Sequence, residues 1–404
     1  MSASLPLRIA LVTDTYLPEI NGVTTVLRAM REGLRARGHE ILVVAPRYGS
    51  NGTAEPGVLR RGSVPFPWYP AVRLSLPIGG NLARSLDRFQ PNLVHVITEG
   101  PIGSMGRRWA VRRRIPLVTS FHTDFPRYAG RYLGAWAINP VRRYCRWFHR
   151  PALVTQTPSE ETARELRSFG LDSVMVWGRG VDPQCFTPER RSECRRRSRG
   201  NSARPVILHV GRLAREKDVA VMVETFKILH HKLGDQAGFQ VSGDGPEAAS
   251  VRQALPFAHH NGFLDRERLA DLYADSDLFV FPSPTETCGL VALEAMASGL
   301  PVIAANQGGV LENLRPEVNG LLAPAGDAEG FAEATGALVQ DPDRRAGMSA
   351  GARAWAVGHS WERELDELER VYRQLAAVIP REHSDRRISS SNPSQSLTTV
   401  KGLR

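Results

Sequence analysis

Short apolar runs recur along the first 180 residues. They fall at Arg8-Ile-Ala-Leu-Val-Thr13, Ile41-Leu-Val-Val-Ala45, Leu93-Val-His-Val-Ile97, Pro116-Leu-Val-Thr-Ser120, Leu153-Val-Thr155 and Val174-Met-Val176. Each is brief and most are rich in β-branched residues, so each predicts a strand. Stretches of helical character separate several of them, at Val23 to Arg37, Ile102 to Arg114 and Glu160 to Phe169. Strands that are apolar throughout, alternating with helices, indicate a parallel sheet covered on both faces. The Pro-rich residues 56–79 predict a long connection instead of a defined element.

Between Val181 and Arg204 the pattern lapses into Pro, Arg, Ser and Gly, the composition of a linker. The alternation then restarts: strands at Val206-Ile-Leu-His-Val210, Phe239-Gln-Val-Ser242, Leu278-Phe-Val-Phe281 and Pro301-Val-Ile-Ala304, with helices over 217–233 and 289–298. The expected fold is α/β, with two Rossmann-like parallel-sheet domains facing a cleft. Their expected bounds are 1–180 and 205–360, joined by a linker at 181–204. A closing amphipathic helix is expected at 361–380, and the Ser-, Arg- and Asn-rich residues 381–404 are expected to be disordered.

The chain has 404 residues, 42% of them hydrophobic and 23% charged, which fits two globular domains at roughly 150 residues each and excludes wholesale disorder. No apolar run nears the roughly 18 residues that span a bilayer, and the opening lacks the apolar core of a secretion signal. Cys145, Cys185, Cys194 and Cys288 have no paired or metal-like spacing, which suits a reducing cytoplasm. The charge is lopsided. Residues 1–190 hold 26 Arg, no Lys and 14 acidic residues, a net +12, whereas the whole chain is +10. The densest runs are Arg107-Arg-Trp-Ala-Val-Arg-Arg-Arg114 and Arg142-Arg-Tyr-Cys-Arg-Trp-Phe-His-Arg150. Such runs suit an anionic membrane surface or a plain solvated helix face. Nucleic acid is not expected, because no nucleic-acid motif accompanies them.

Four loops carry candidate chemistry. Thr285-Glu-Thr-Cys-Gly-Leu-Val-Ala-Leu-Glu-Ala-Met-Ala-Ser-Gly-Leu-Pro-Val302 follows a strand and turns through Gly289 into a helix. Ligands of open parallel sheets collect beyond the carboxyl ends of the strands. Backbone amides of Cys288, Gly289 and Leu290, beside Thr287, would favour a phosphate or a polar sugar edge. Glu286 and Glu294 lie roughly 12 Å apart at about 1.5 Å per residue. That span suits one carboxylate on a sugar hydroxyl and the other on a ribose, with a diphosphate between. Two ordinary carboxylates flanking a helix are the alternative, but one inside an apolar run is costly without a partner.

The second loop, Gly211-Arg-Leu-Ala-Arg-Glu-Lys217, follows the strand at 206–210. Its glycine is expected to let the turn leave the sheet tightly, and Arg212 and Lys217 to converge on one anion. A diphosphate leaving group needs such countercharge. In the third, Asp14-Thr-Tyr-Leu-Pro-Glu-Ile-Asn-Gly-Val23, Asn21 and Gly22 open a helix where backbone could approach a phosphate. Gly22 is otherwise a plain turn residue, and the loop lacks the Gly-x-Gly-x-x-Gly fingerprint, which argues against a dehydrogenase. The fourth, Thr119-Ser-Phe-His-Thr-Asp-Phe-Pro-Arg-Tyr128, places His122 and Asp124 to orient or deprotonate an acceptor hydroxyl, unless His122 is a structural histidine. Gly243-Asp-Gly-Pro246 either shapes a nucleotide pocket or is a tight turn. Asp275-Ser-Asp277 has the form of a metal motif but precedes an apolar strand, and reads as structural. No tightly bound metal or cofactor is expected.

Glu286 and Glu294 at this spacing, with Gly211-Arg212, Lys217 and Asn21-Gly22-Val23, resemble glycosyltransferase family 4, of the two-domain GT-B fold, over about residues 7–380. The resemblance implies that Arg212 and Lys217 hold the nucleotide diphosphate. It places Glu286 and the backbone after it on the donor sugar, Glu294 on the ribose and Gly22 on the diphosphate from the opposite domain. His122 matches the family's active-site histidine. The implied chemistry retains anomeric configuration, the departing phosphate taking the acceptor's proton on the same face. Ser120-Phe-His-Thr-Asp-Phe-Pro-Arg-Tyr128 and Trp177-Gly-Arg-Gly-Val-Asp-Pro-Gln-Cys-Phe186 are similar to bacterial GDP-mannose-dependent α-mannosyltransferases of glycolipids and to sulfolipid synthases. Val310-Leu-Glu-Asn-Leu-Arg315 departs from the more usual Val-Pro-Glu-Val run. The expectation is a hexose, mannose from GDP-mannose, moved to a lipid or glycolipid by a cytoplasmic enzyme, peripheral on the inner face of the membrane. A UDP-sugar donor and an inactive nucleotide-sugar-binding protein are the alternatives.

Overall fold

The computed structural model describes residues 5–378 except 20, 49–54, 67–68, 76–80, 123–124, 127–128, 131–133, 179, 202–203 and 287. The expected disordered tail therefore lies outside the described residues, as do Asp124 and Thr287.

The N-terminal unit is built on a seven-stranded sheet in the order β3-β2-β1-β6-β7-β8-β9. Its strands are β1 (Arg8–Val12), β2 (Glu40–Pro46), β3 (Val58–Arg61), β6 (Leu93–Val96), β7 (Leu117–Ser120), β8 (Val154–Thr157) and β9 (Val174–Val176). All pair in parallel, and β1, β6, β7 and β8 are buried almost end to end, as their unbroken apolar runs require. Helices α1 (Gly22–Ala36), α2 (Asn81–Phe89), α3 (Pro101–Arg113), α4 (Ile138–His149) and α5 (Glu160–Ser168) make the connections.

Residues 56–79 are more than a connection. They supply the edge strand β3 and a separate antiparallel ribbon of β4 (Ser63–Phe66) and β5 (Tyr69–Ser75). In a two-stranded ribbon each strand has an unpaired side, so Pro65 and Pro70 are tolerated where a central strand would reject them.

The linker is folded too. Helix α6 (Glu193–Ser198) is tied to the second domain by arginines: Arg195 to Asp275 at 2.6 Å, Arg196 to Asp277 at 3.0 Å and Arg191 to Asp277 at 2.9 Å. Both carboxylates of Asp275-Ser-Asp277 are thus taken by guanidinium groups, in agreement with their structural reading.

The second sheet has the order β12-β11-β10-β13-β14-β15. It contains β10 (Val206–Val210), β11 (Gly238–Ser242), β12 (His259–Gly262), β13 (Leu278–Phe281), β14 (Val302–Ala305) and β15 (Gly320–Ala323). Its helices are α7 (Val219–Leu233), α8 (Ala248–Ala254), α9 (Arg266–Ala274), α10 (Leu290–Ala297), α11 (Ala328–Gln340) and α12 (Pro342–Val357). Strand order reverses direction at β1 in the first sheet and at β10 in the second. Such switch points open a crevice at the carboxyl ends of the strands, and the loops after β1 and β10 are two of the four singled out for chemistry.

The closing helix, α13 (Trp361–Ala377), follows the second domain but packs on the first. Leu365, Leu368, Val371, Tyr372 and Leu375 share a core with Leu27, Met30 and Leu34 of α1. The chain therefore crosses between domains twice, and the crossings are joined. Val181 N donates to His359 O and Trp361 N to Val181 O, each at 3.0 Å. A Cβ on Gly180 would stand 2.4 Å from ring carbons of Trp361, so this joint admits no larger residue without a shift.

Candidate active site

On the second domain, the loops after β10 and β13 are tied together. Lys217 Nζ donates to Glu286 Oε1 at 2.5 Å, and Thr285 Oγ1 donates to Glu216 O at 2.8 Å. The ammonium and carboxylate, each about one-fifth exposed, form an ion pair at the mouth of the crevice. Arg212 is exposed on the same loop. The tight backbone approach here belongs to Gly243 and Gly245 and not, as expected, to Gly211, where a Cβ would make only ordinary contacts. Gly243 holds φ at +136° and a Cβ there would lie 1.8 Å from Gly211 O; at Gly245, with φ +155°, it would lie 2.3 Å from Leu213 O. Gly243-Asp-Gly-Pro246 therefore shapes the loop that carries Arg212 and Lys217.

Helix α10 starts at Gly289, which adopts the left-handed conformation (φ +71°), and among the described residues no side chain caps it. This helix start follows directly on the Glu286 loop. The loop before it is held from behind: Gly309 N donates to Glu286 O at 2.7 Å and Asn313 Nδ2 to Cys288 O at 3.0 Å. Cys288 is buried, with Sγ 3.9 Å from Gly178 O, and Leu290 packs against the N-terminal core, so this helix start meets the opposite domain. Two turns on, burial pushes the Glu294 carboxyl up to about 7, against the charges of Arg266 and, from α1 across the crevice, Arg28. The Tyr273 hydroxyl lies 3.5 Å from Glu294 Oε2 and donates to Val291 O at 3.1 Å.

The N-terminal wall is different. Asn21 is the N-cap of α1: its Oδ1 accepts from Thr24 N at 2.9 Å while Thr24 Oγ1 accepts from Asn21 N at 2.9 Å. Its Nδ2 donates to Thr15 and Glu19, both at 3.1 Å. The side chain is thereby engaged by its own domain. Gly22 has open space where a Cβ would sit. Asp14 accepts from Ile102 N at 2.7 Å and Gly103 N at 3.1 Å, capping α3, with burial raising its carboxyl despite those bonds. Burial also raises Glu99, which lies 3.3 Å from His149 Nε2. His122 follows the end of β7, and burial holds its imidazole down at about 4, neutral at pH 7. Behind it lies a buried chain in which His95 meets Ser120 Oγ at 2.6 Å and the Tyr372 hydroxyl at 2.5 Å.

The structure thus brings Lys217, Glu286, Cys288, Gly289, Leu290 and Glu294 to one crevice edge. Tyr273 and Asn313 support that edge but left no sequence signal, because tyrosine and asparagine in helix and turn are ordinary.

Residues 20–184 match the model of Glycosyltransferase Family 4, and residues 204–341 that of Glycosyl transferases group 1. A GDP-mannose-dependent alpha-mannosyltransferase of Mycobacterium tuberculosis is 34% identical over 368 residues, covering 89% of this chain and 95% of the relative. The chain belongs to glycosyltransferase family 4. A sulfoquinovosyl transferase of Arabidopsis thaliana is 33% identical over 374 residues, 89% of this chain and 72% of that protein. Among solved structures, sucrose-phosphate synthase from Thermosynechococcus elongatus superposes with a TM-score of 0.75 at 20% identity, over 92% of this chain and 99% of the other. That likeness shows the GT-B fold. This family 4 enzyme is a nucleotide-sugar-dependent glycosyltransferase. Among its described residues no helix is long and apolar enough to cross a membrane.

Proposed function

We propose that this family 4 enzyme moves mannose from GDP-mannose, with retention, onto a lipid or glycolipid. The observation that carries the reading is the Lys217–Glu286 pair at the start of α10. Cation, carboxylate and helix start converge where a sugar diphosphate would lie. On donor binding Lys217 and Arg212 turn to the diphosphate, supplying the countercharge that the leaving group needs. Glu286 and the amides of Cys288, Gly289 and Leu290, with Thr287, take the sugar hydroxyls, and Glu294 takes the ribose. Gly22, beside Asn21, leaves room for the diphosphate on the opposite wall. His122, held neutral by burial, hydrogen-bonds between donor sugar and acceptor, and Asp124 orients the acceptor hydroxyl. The departing phosphate accepts the acceptor's proton on the same face, so no protein nucleophile is required.

The mannosyltransferase similarity over most of both chains favours mannose and guanine. The sulfoquinovosyl transferase similarity keeps a UDP-sugar as the second reading. Donor hydrolysis and thermal shift across GDP- and UDP-sugars separate them. Stabilisation and slow hydrolysis with GDP-mannose alone are expected. A response to UDP-sugars only would overturn the donor assignment, and no turnover with any donor would leave a binding protein.

A lipid acceptor fits helix α4, whose Arg142, Arg143, Tyr144, Arg146 and Trp147 are exposed, as is Arg150 just after it, while Cys145, Phe148 and His149 are buried. Trp136, just before it, is 74% exposed. Aromatic rings among arginines suit the inner, anionic leaflet. Replacing Arg142, Arg143 and Arg146 together by Glu is expected to abolish sedimentation with anionic vesicles; unchanged sedimentation would remove the membrane from this reading.

A further inference from the structure

Behind the donor-sugar loop lies a 3-10 turn, Gly309–Glu312, and the two are in backbone contact. Gly309 N holds Glu286 O, and Asn313 holds Cys288 O. A Cβ on Gly308, which has φ +86°, would stand 3.0 Å from the carbonyl oxygens of both Glu286 and Pro284. One at Gly289 would stand 3.4 Å from Val310 Cβ. The turn cannot move without moving the backbone on either side of the Glu286 side chain.

The last residue of this turn reaches the other domain. Glu312 Oε1 accepts from the backbone amide of Glu160 and lies 3.4 Å from that of Glu161, both in the first turn of α5. Ser159 already caps this helix, its Oγ accepting from Thr162 N at 3.2 Å. Glu312 therefore meets amides that the cap leaves over. The helix dipole favours a carboxylate there. Glu160 and Glu161 bring like charge, but the Glu160 side chain is paired with Arg167 at 3.2 Å.

From this geometry we propose that Glu312 is a latch between the domains, a positioning residue that couples their closure to the loop presenting Glu286. It lies in Val310-Leu-Glu-Asn-Leu-Arg315, to which the donor-site reading gives no role. With the domains together, the carboxylate clamps the turn between α5 and the donor-sugar loop, and the Glu286 side chain is held in line with the sugar. When the domains part, the clamp opens and the loop gains freedom. Glu294, held within its own domain beside Tyr273, keeps its place.

The kinetic test rests on the mannosyl-transfer reading; the scattering test does not, so failure of one is distinguishable from failure of the other. For E312A, transfer kcat is expected to fall roughly tenfold, the scale of one lost charge-assisted contact. GDP affinity should stay within about twofold, because only closure is affected. The radius of gyration from X-ray scattering should rise, with or without GDP. E312Q keeps an acceptor oxygen and should recover most of the parent's behaviour. E160P is a second route to the same break. It removes the donor amide at the first helical position, which accepts proline, and leaves the turn untouched. An unchanged radius of gyration in both E312A and E160P would overturn the latch. So would a GDP affinity that falls in step with kcat, or an E312Q as impaired as E312A.

Discussion

The two walls of the crevice use similar residue types to opposite ends. On the C-terminal wall Glu286 is paired with Lys217, burial pushes the Glu294 carboxyl up to about 7, and among the described residues no side chain caps α10. On the N-terminal wall the corresponding polar groups are committed inward. Asn21 caps α1, Asp14 caps α3, and Glu19 accepts from Thr15 and Tyr48, each at 3.0 Å. Polar groups whose hydrogen bonds are complete stiffen a wall, whereas an exchangeable ion pair can be traded for a ligand. The C-terminal wall therefore offers charge that a ligand can exchange, whereas around Asn21, Asp14 and Glu19 the N-terminal wall holds its shape.

Three substitutions test that contrast. The largest effect is expected for K217A, which removes the countercharge proposed for the departing diphosphate. Donor turnover should fall by roughly 10² to 10³-fold with the melting temperature little changed, read by steady-state hydrolysis and calorimetry. Retained turnover would move the diphosphate elsewhere. N21A should do the reverse, costing about 1 kcal/mol of stability through the lost cap while donor KM stays near the parent value. A KM that rises with stability unchanged would return Asn21 to the donor site.

The smallest effect is pH-dependent. Because burial raises Glu294, the stability contributed by its neutral form is complete below its ordinary value of 4.5 and is lost as pH rises through about 7. E294Q, neutral throughout, should match the parent near pH 4 and melt above it at about pH 8, while binding the nucleotide ribose more weakly. Equal melting at both pH values would mean that Glu294 is not held neutral by burial.

Much of the fold is legible in the sequence because it is local. The strand at 206–210 begins and ends where its apolar run does, and helix 289–298 shrinks only to Leu290–Ala297. Strand β12, His259-His-Asn-Gly262, is not legible, since it is polar and is a strand only by pairing with β11. Asn21 illustrates the other gap. The sequence pattern offers Asn21 as a donor contact, whereas its bonds to Thr24, Thr15 and Glu19 as a helix cap depend on groups that the fold brings around it.

Sequence alone determined the features that rest on short-range pattern: two parallel sheets, the loops at their carboxyl ends and the spacing of Glu286 from Glu294. Only the tertiary structure decided which distant groups meet. It put Lys217 on Glu286, Tyr273 beside Glu294, α13 back on the first domain and Glu312 against α5. Local pattern reflects the repeat of the backbone itself, whereas these pairings depend on how two sheets and two crossings of the chain pack together.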